Sequence, residues 1–137
     1  MPSAKRAVAI GLAALSLSAC GTASKPQAGT PAAIAKSRLG LDDPRARHVA
    51  CLQAQHIPVH LERVTVAGQS LPAFQVATAP YGPTVAFEPT PGAAQAAQIQ
   101  GEAQAAEVIG AALVYPNLAP DALDAKVEAC VALGVKG

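Results

Sequence analysis

The stretch VHLERVTVAGQSLPAFQVATAPYGPTVAFE, residues 59–88, decides the fold class. Its apolar residues recur mostly at every second position, the period of a half-buried strand, and Gly/Pro-rich turns punctuate them. Leu71–Thr78 places Phe74 and Val76 on one face, and Thr84–Glu88 places Val85 and Phe87 on one face. Ala67-Gly68-Gln69-Ser70 and Pro80-Tyr81-Gly82-Pro83 carry turn chemistry, because glycine reaches positive φ and proline presets its own φ. The stretch therefore predicts a three-stranded antiparallel meander. Its first strand, Val59–Val66, is flawed: Val59 and Leu61 lie on one face, Val64 and Val66 on the other. A β-bulge near Glu62-Arg63, or a strand that begins later, would reconcile the pattern.

Before this stretch, Asp43-Pro44 gives a helix start, with a capping carboxylate followed by proline at the first helical position. A helix is predicted from about Pro44 to Gln55, with Pro58 preventing extension. Ala46, Val49, Ala50, Gln53 and Ile57 form its stripe, with Cys51 and Leu52 beside it. Arg45 and Arg47 stand near the positive end of the helix dipole, so carboxylates or solvent are expected around them.

After the stretch, Thr90-Pro91 repeats the cap-then-proline signal. A long helix is predicted from there to about Leu113, with Ile99, Ala103, Ala106, Gly110 and Leu113 as its buried stripe. Val114-Tyr115 reads as a short extended segment. A last helix, from about Pro120 to Leu133, turns Leu123, Val127, Cys130 and Val131 inward and ends at Gly134. The expected architecture is α+β: a small two-layer sandwich over residues 38–137 with the helices on one face. Its order is helix, three-stranded meander, long helix, short extended segment, helix. With Phe74, Phe87, Tyr81 and Tyr115 as its aromatics, the core must be built from Val, Leu, Ile and Ala.

The chain begins differently. Lys5 and Arg6 precede an apolar run, Ala7–Leu17, short for a membrane span but matching the hydrophobic region of a secretory signal. Leu17-Ser18-Ala19-Cys20 follows: an aliphatic residue, two small ones and a cysteine. The segment resembles the lipobox of bacterial prolipoproteins. That resemblance implies cleavage of residues 1–19 as a signal peptide and lipidation of the Cys20 sulfur by diacylglycerol and palmitate-type acyl chains. It also implies anchorage to a cell membrane on its extracytoplasmic face. Residues 20–37, rich in small residues with Pro26 and Pro31, read as a flexible tether.

The whole chain carries a formal charge of +1. Without Lys5 and Arg6 the balance becomes slightly acidic, which excludes a strongly basic nucleic-acid binder. Six of the remaining cations lie between Lys25 and Arg63, next to the anchor, where they could favour anionic headgroups or serve only solubility.

Export also bears on Cys51 and Cys130, the cysteines left once Cys20 is lipidated. In an oxidising compartment a disulfide between them would close a loop of about eighty residues, contributing roughly 4–5 kcal/mol in the chain-entropy model. The alternatives are two buried free thiols or a redox pair, the latter without C-x-x-C spacing. His48 and Cys51, at i and i+3, could share a metal with Cys130, but there is no second close ligand pair and no metal is expected. His48, His56 and His60 are expected to be ordinary surface or partly buried histidines.

No catalytic residue is assigned. Ser70 lies in a turn without a nucleophile-elbow motif, and Glu62 and Glu88 could face one another across strands as an acid/base pair. There is no phosphate-binding glycine loop, and no cofactor is expected. The resulting expectation is a lipid-anchored, non-enzymatic binding module for an envelope protein or small-molecule ligand. The alternative is a small envelope hydrolase or thiol-redox accessory protein.

Overall fold

The computed structural model describes residues 39, 40 and 42–136. Residues 1–38, which include Cys20 and the segments read from the sequence as a signal peptide and tether, therefore lie outside the described residues. The elements are α1 (Ala46–Ala54), β1 (Val59–Val66), β2 (Gln69–Val76), β3 (Thr84–Phe87), α2 (Pro91–Ile99), β4 (Glu107–Ile109), β5 (Ala112–Tyr115) and α3 (Asp121–Val131). The fold is α+β, built on a five-stranded antiparallel sheet of order β1-β2-β3-β5-β4.

The meander is formed by β1, β2 and β3. The β1–β2 register runs unbroken from Val59↔Val76 to Val66↔Gln69, so there is no bulge at Glu62-Arg63. The hairpin turn is Ala67-Gly68, both with positive φ (52° and 74°), the two-residue geometry that matches strand twist. The change of apolar face along β1 has another cause: both faces of the sheet are covered.

On one face, Phe74, Val76, Val85, Phe87 and Val114 pack against Val49 and Leu52 of α1 and Val127, Cys130 and Val131 of α3. On the other, Leu71, Ala73, Ala86 and Leu113 pack against Ala94 and Ala97 of α2 and against Ala103 and Ala106 of the following loop. Val59 packs against the first cluster, whereas Val64 and Val66 belong to the second. The helices thus divide between two faces instead of forming one layer.

The long helix to Leu113 is not formed. Thr90 caps α2 through its hydroxyl, which accepts the Ala93 N–H at 3.1 Å, but the helix stops at Ile99. Gly101, Ala105 and Gly110 all have positive φ, incompatible with a continuing right-handed helix. The chain instead turns and returns as the β4–β5 hairpin. Ile99 is 85% exposed, yet Ala103, Ala106 and Leu113 are buried through the loop and β5.

Gly82 holds the turn between β2 and β3. A Cβ there would collide with the Val76 carbonyl oxygen. The Gly82 carbonyl accepts from Gln75 Nε2 and Asn117 Nδ2, each at 2.9 Å, and Thr84 Oγ1 donates to Gln75 Oε1 at 2.6 Å. This network satisfies the buried Gln75 amide and ties the turn to the segment after β5.

Candidate functional site

The site is organised by α1. Its N-cap is Arg45 and not the expected Asp43, whose carboxylate instead accepts the Arg45 N–H at 2.9 Å and forms an ion pair with the Arg45 guanidinium at 2.7 Å just before the helix. That contact holds the Asp43 carboxyl below its usual range, with desolvation opposing. Arg45 also donates to the carbonyls of Glu62 and Ala73, joining the helix start to β1 and β2.

The buried face of α1 is His48, Val49 and Leu52, while Ala50 and Gln53 of the expected stripe are exposed. His48 is 6% exposed, more fully buried than the surface or partly buried position expected of it. Its ring stacks on Phe87 with centroids 5.2 Å apart, and its Nδ1 lies 2.9 Å from the Cys130 carbonyl oxygen. A carbonyl can only accept, so Nδ1 carries the proton and the neutral ring presents Nε2 as an acceptor. Burial, reinforced by the Arg47 charge, pushes the His48 pKa down, while the bond to Cys130 opposes the shift. The helical spacing of His48 and Leu52, i and i+4, is the sequence signal that places this histidine inward.

Cys51 and Cys130 are joined in a disulfide, with Cα atoms 5.6 Å apart, linking α1 to α3. Gln55 Nε2 lies 3.1 Å from the Cys130 sulfur, which is sealed from solvent. The bond consumes both thiols, so the weighed metal set of His48, Cys51 and Cys130 is not assembled.

Beyond the end of β3, α1, α3, the start of α2 and the β4–β5 turn enclose a cleft of about 600 Å³. Phe87, Ile109, Val131, Leu133 and Val135 give it apolar walls; His48, Arg47 and Lys136 contribute its ionisable groups. None of the described lining residues carries a carboxylate. Among the described residues Arg47 makes only a long 3.5 Å contact, to the Leu133 carbonyl.

Comparison with protein-family models, curated proteins and solved structures returns no match.

The other residues singled out in the sequence do not converge. Ser70 is exposed and accepts from Arg63 Nε at 2.8 Å, with a second Arg63 contact to its carbonyl. Glu62 lies opposite Ala73 on the edge strand, and Glu88 follows β3, so β2 separates them and the acid/base pair is not formed. His56 and His60 are exposed. A smaller cavity of about 350 Å³ lies on the opposite face, lined by Val64, Thr84, Glu102, Tyr115 and Asn117. Burial, helped by the Glu88 charge, raises the Tyr115 pKa, which keeps its phenol protonated. Among the described residues no helix is long and apolar enough to cross a membrane.

Proposed function

We propose that this chain is a lipid-anchored protein of the cell envelope, whose domain binds a ligand or partner without catalysing a reaction. The anchor is Cys20, read from the lipobox-like Leu17-Ser18-Ala19-Cys20 segment; the domain stands on the extracytoplasmic face beyond a tether of residues 20–37. The observation that carries the binding reading is the cleft at the end of the sheet: apolar walls with a few oriented polar groups, the usual composition of a small-molecule site. The disulfide is consistent with an oxidising compartment.

Two measurements test the reading. Cys20→Ala should abolish incorporation of labelled palmitate and release the exported protein from the membrane fraction. Continued labelling would refute the anchor. Filling the cleft through Gln95→Trp on its α2 rim should weaken ligand capture from envelope extracts without changing thermal stability, and full retention of the captured ligand would refute the cleft.

A further inference from the structure

The geometry points to one class of ligand for the cleft: a small amphiphile with an apolar chain, a carboxylate, and a hydroxyl or amide N–H. His48 Nε2 accepts the hydrogen of that donor, and Arg47 and Lys136 pair with the carboxylate. This assignment rests on the reading of the domain as a binding module.

His48 carries the argument. It is more than nine-tenths buried, lines the cleft, and is held in one tautomer by the Cys130 carbonyl. Nε2 has no hydrogen-bond partner among the described residues, yet it is not sealed in the interior, where Asp124 Oδ1 is the unpartnered side-chain atom. His48 lines the cleft, so an occupant of the cleft is placed beside its ring. An acceptor with no partner among the described residues favours an occupant that brings a donor, because stripping its remaining solvent contact without a replacement costs affinity.

The charges supply the second element. Arg47 and Lys136 are the charged side chains of the lining, and no described lining residue carries a carboxylate. They select an anion. A ligand carrying only a carboxylate would satisfy them and leave Nε2 unmatched, because the Cys130 carbonyl holds the proton of the neutral ring at Nδ1. The apolar walls then take the chain, with Phe87 and Val131 buried at the inner end and Leu133 and Val135 more exposed.

The test uses the lipidated full chain in phosphatidylcholine nanodiscs, with empty nanodiscs subtracted, and equilibrium dialysis of three probes: 3-hydroxyoctanoate, octanoate and methyl 3-hydroxyoctanoate. The hydroxy acid should bind about fivefold more tightly than octanoate, the effect of one hydrogen bond. His48→Asn keeps a donor for the Cys130 carbonyl but removes the Nε2 acceptor, and should bring that ratio to one. Replacing Arg47 and Lys136 with Gln should weaken the hydroxy acid about fivefold or more at low salt while leaving the ester unchanged.

On the unsubstituted protein, hydroxy acid at about ten times its dissociation constant or more should slow carbethoxylation of His48 by diethyl pyrocarbonate at least about fivefold, as occupancy of the site implies. This readout does not depend on a variant folding. Binding of the probes with an unchanged ratio in folded His48→Asn, or an unchanged His48 modification rate, overturns the ligand class and leaves the binding module standing. No probe bound above empty nanodiscs overturns the ligand class, and retention of captured ligand by Gln95→Trp separately overturns the cleft.

Discussion

Cys130 holds α1 twice: its carbonyl oxygen lies 2.9 Å from the Nδ1 of His48, and its sulfur is bonded to Cys51 one turn further along the same helix. The covalent link and the hydrogen bond fix both the separation and the rotation of α1 against α3. They also set the tautomer of the histidine that enters the cleft.

The first prediction concerns that histidine and pH. Burial, with Arg47 as a lesser contributor, holds the His48 pKa below its ordinary value of 6.5. The unfolded chain therefore takes up this proton at a higher pH than the folded protein does. The contribution to stability is full above about pH 6.5 and is lost as pH falls from there through the folded value. Urea unfolding across this range should show stability decreasing on acidification, and His48→Asn should flatten that slope. An equal slope in the variant would remove His48 as its source.

The second prediction concerns the disulfide. The bridged residues are separated by 79 positions, and the sulfur of Cys130 is fully buried. Constraining so long a loop contributes roughly 4–5 kcal/mol in the chain-entropy model. Replacing both cysteines with Ala should lower the urea unfolding free energy by about that amount, with a further small cost for the lost sulfur volume. A loss below about 1 kcal/mol would mean that packing alone sets the α1–α3 contact.

How far the sequence reveals this molecule depends on which residues speak locally. Phe74, Val76, Val85 and Phe87 alternate cleanly, so the meander is legible, and Thr90-Pro91 marks the start of α2 correctly. The end of α2 is harder. Ala93–Ala106 is rich in helix formers, and the one interruption, Gly101, carries modest weight against so many alanines. These alanines serve a different purpose: their small size lets α2 and the following loop lie close to Ala73 and Ala86 of the sheet. Val64 and Val66 already indicate that β1 is apolar on both sides, and a sheet covered on two faces explains this without a bulge. The cleft is less legible, because it is assembled from Arg47, Phe87, Ile109 and Val135, brought together only by the tertiary fold.

The third prediction concerns Gly82. Any Cβ at this position meets the Val76 carbonyl oxygen, a backbone atom that also accepts from Gln75 Nε2. Gly82→Ala must displace the turn and break hydrogen bonds that satisfy the buried Gln75. A loss of about 2–4 kcal/mol is expected, as for other buried networks broken by strain. Gly68→Ala, where a Cβ meets no atom within 4 Å, should cost less, through its positive φ of 74° alone. Thermal melts of the two variants check the order, and equal losses would contradict it.

The last prediction concerns three carboxylates at the edge of the sheet. Asp124 and Glu128, one turn apart on α3, and Glu107 on β4 act on one another. Burial first, and then the Glu107 charge, raises the pKa of both Asp124 and Glu128. Asp124 Oδ1 is also sealed from solvent with no hydrogen-bond partner. Raised values mean that the folded protein holds these protons more tightly than the unfolded chain. Their contribution to stability is therefore full below the ordinary carboxylate range and is lost as pH rises through the raised folded values. Its sign is opposite to that of His48. At pH 7 the trio is strained by like charge, and Glu107→Gln should stabilise the protein by about 0.5 kcal/mol, a modest figure because these groups are partly solvated. Near pH 4 the gain should be smaller, since protonation of Asp124 and Glu128 relieves part of the repulsion. Urea unfolding of both proteins at the two pH values checks this, and a gain undiminished at pH 4 would show that the substitution acts through packing and not through charge.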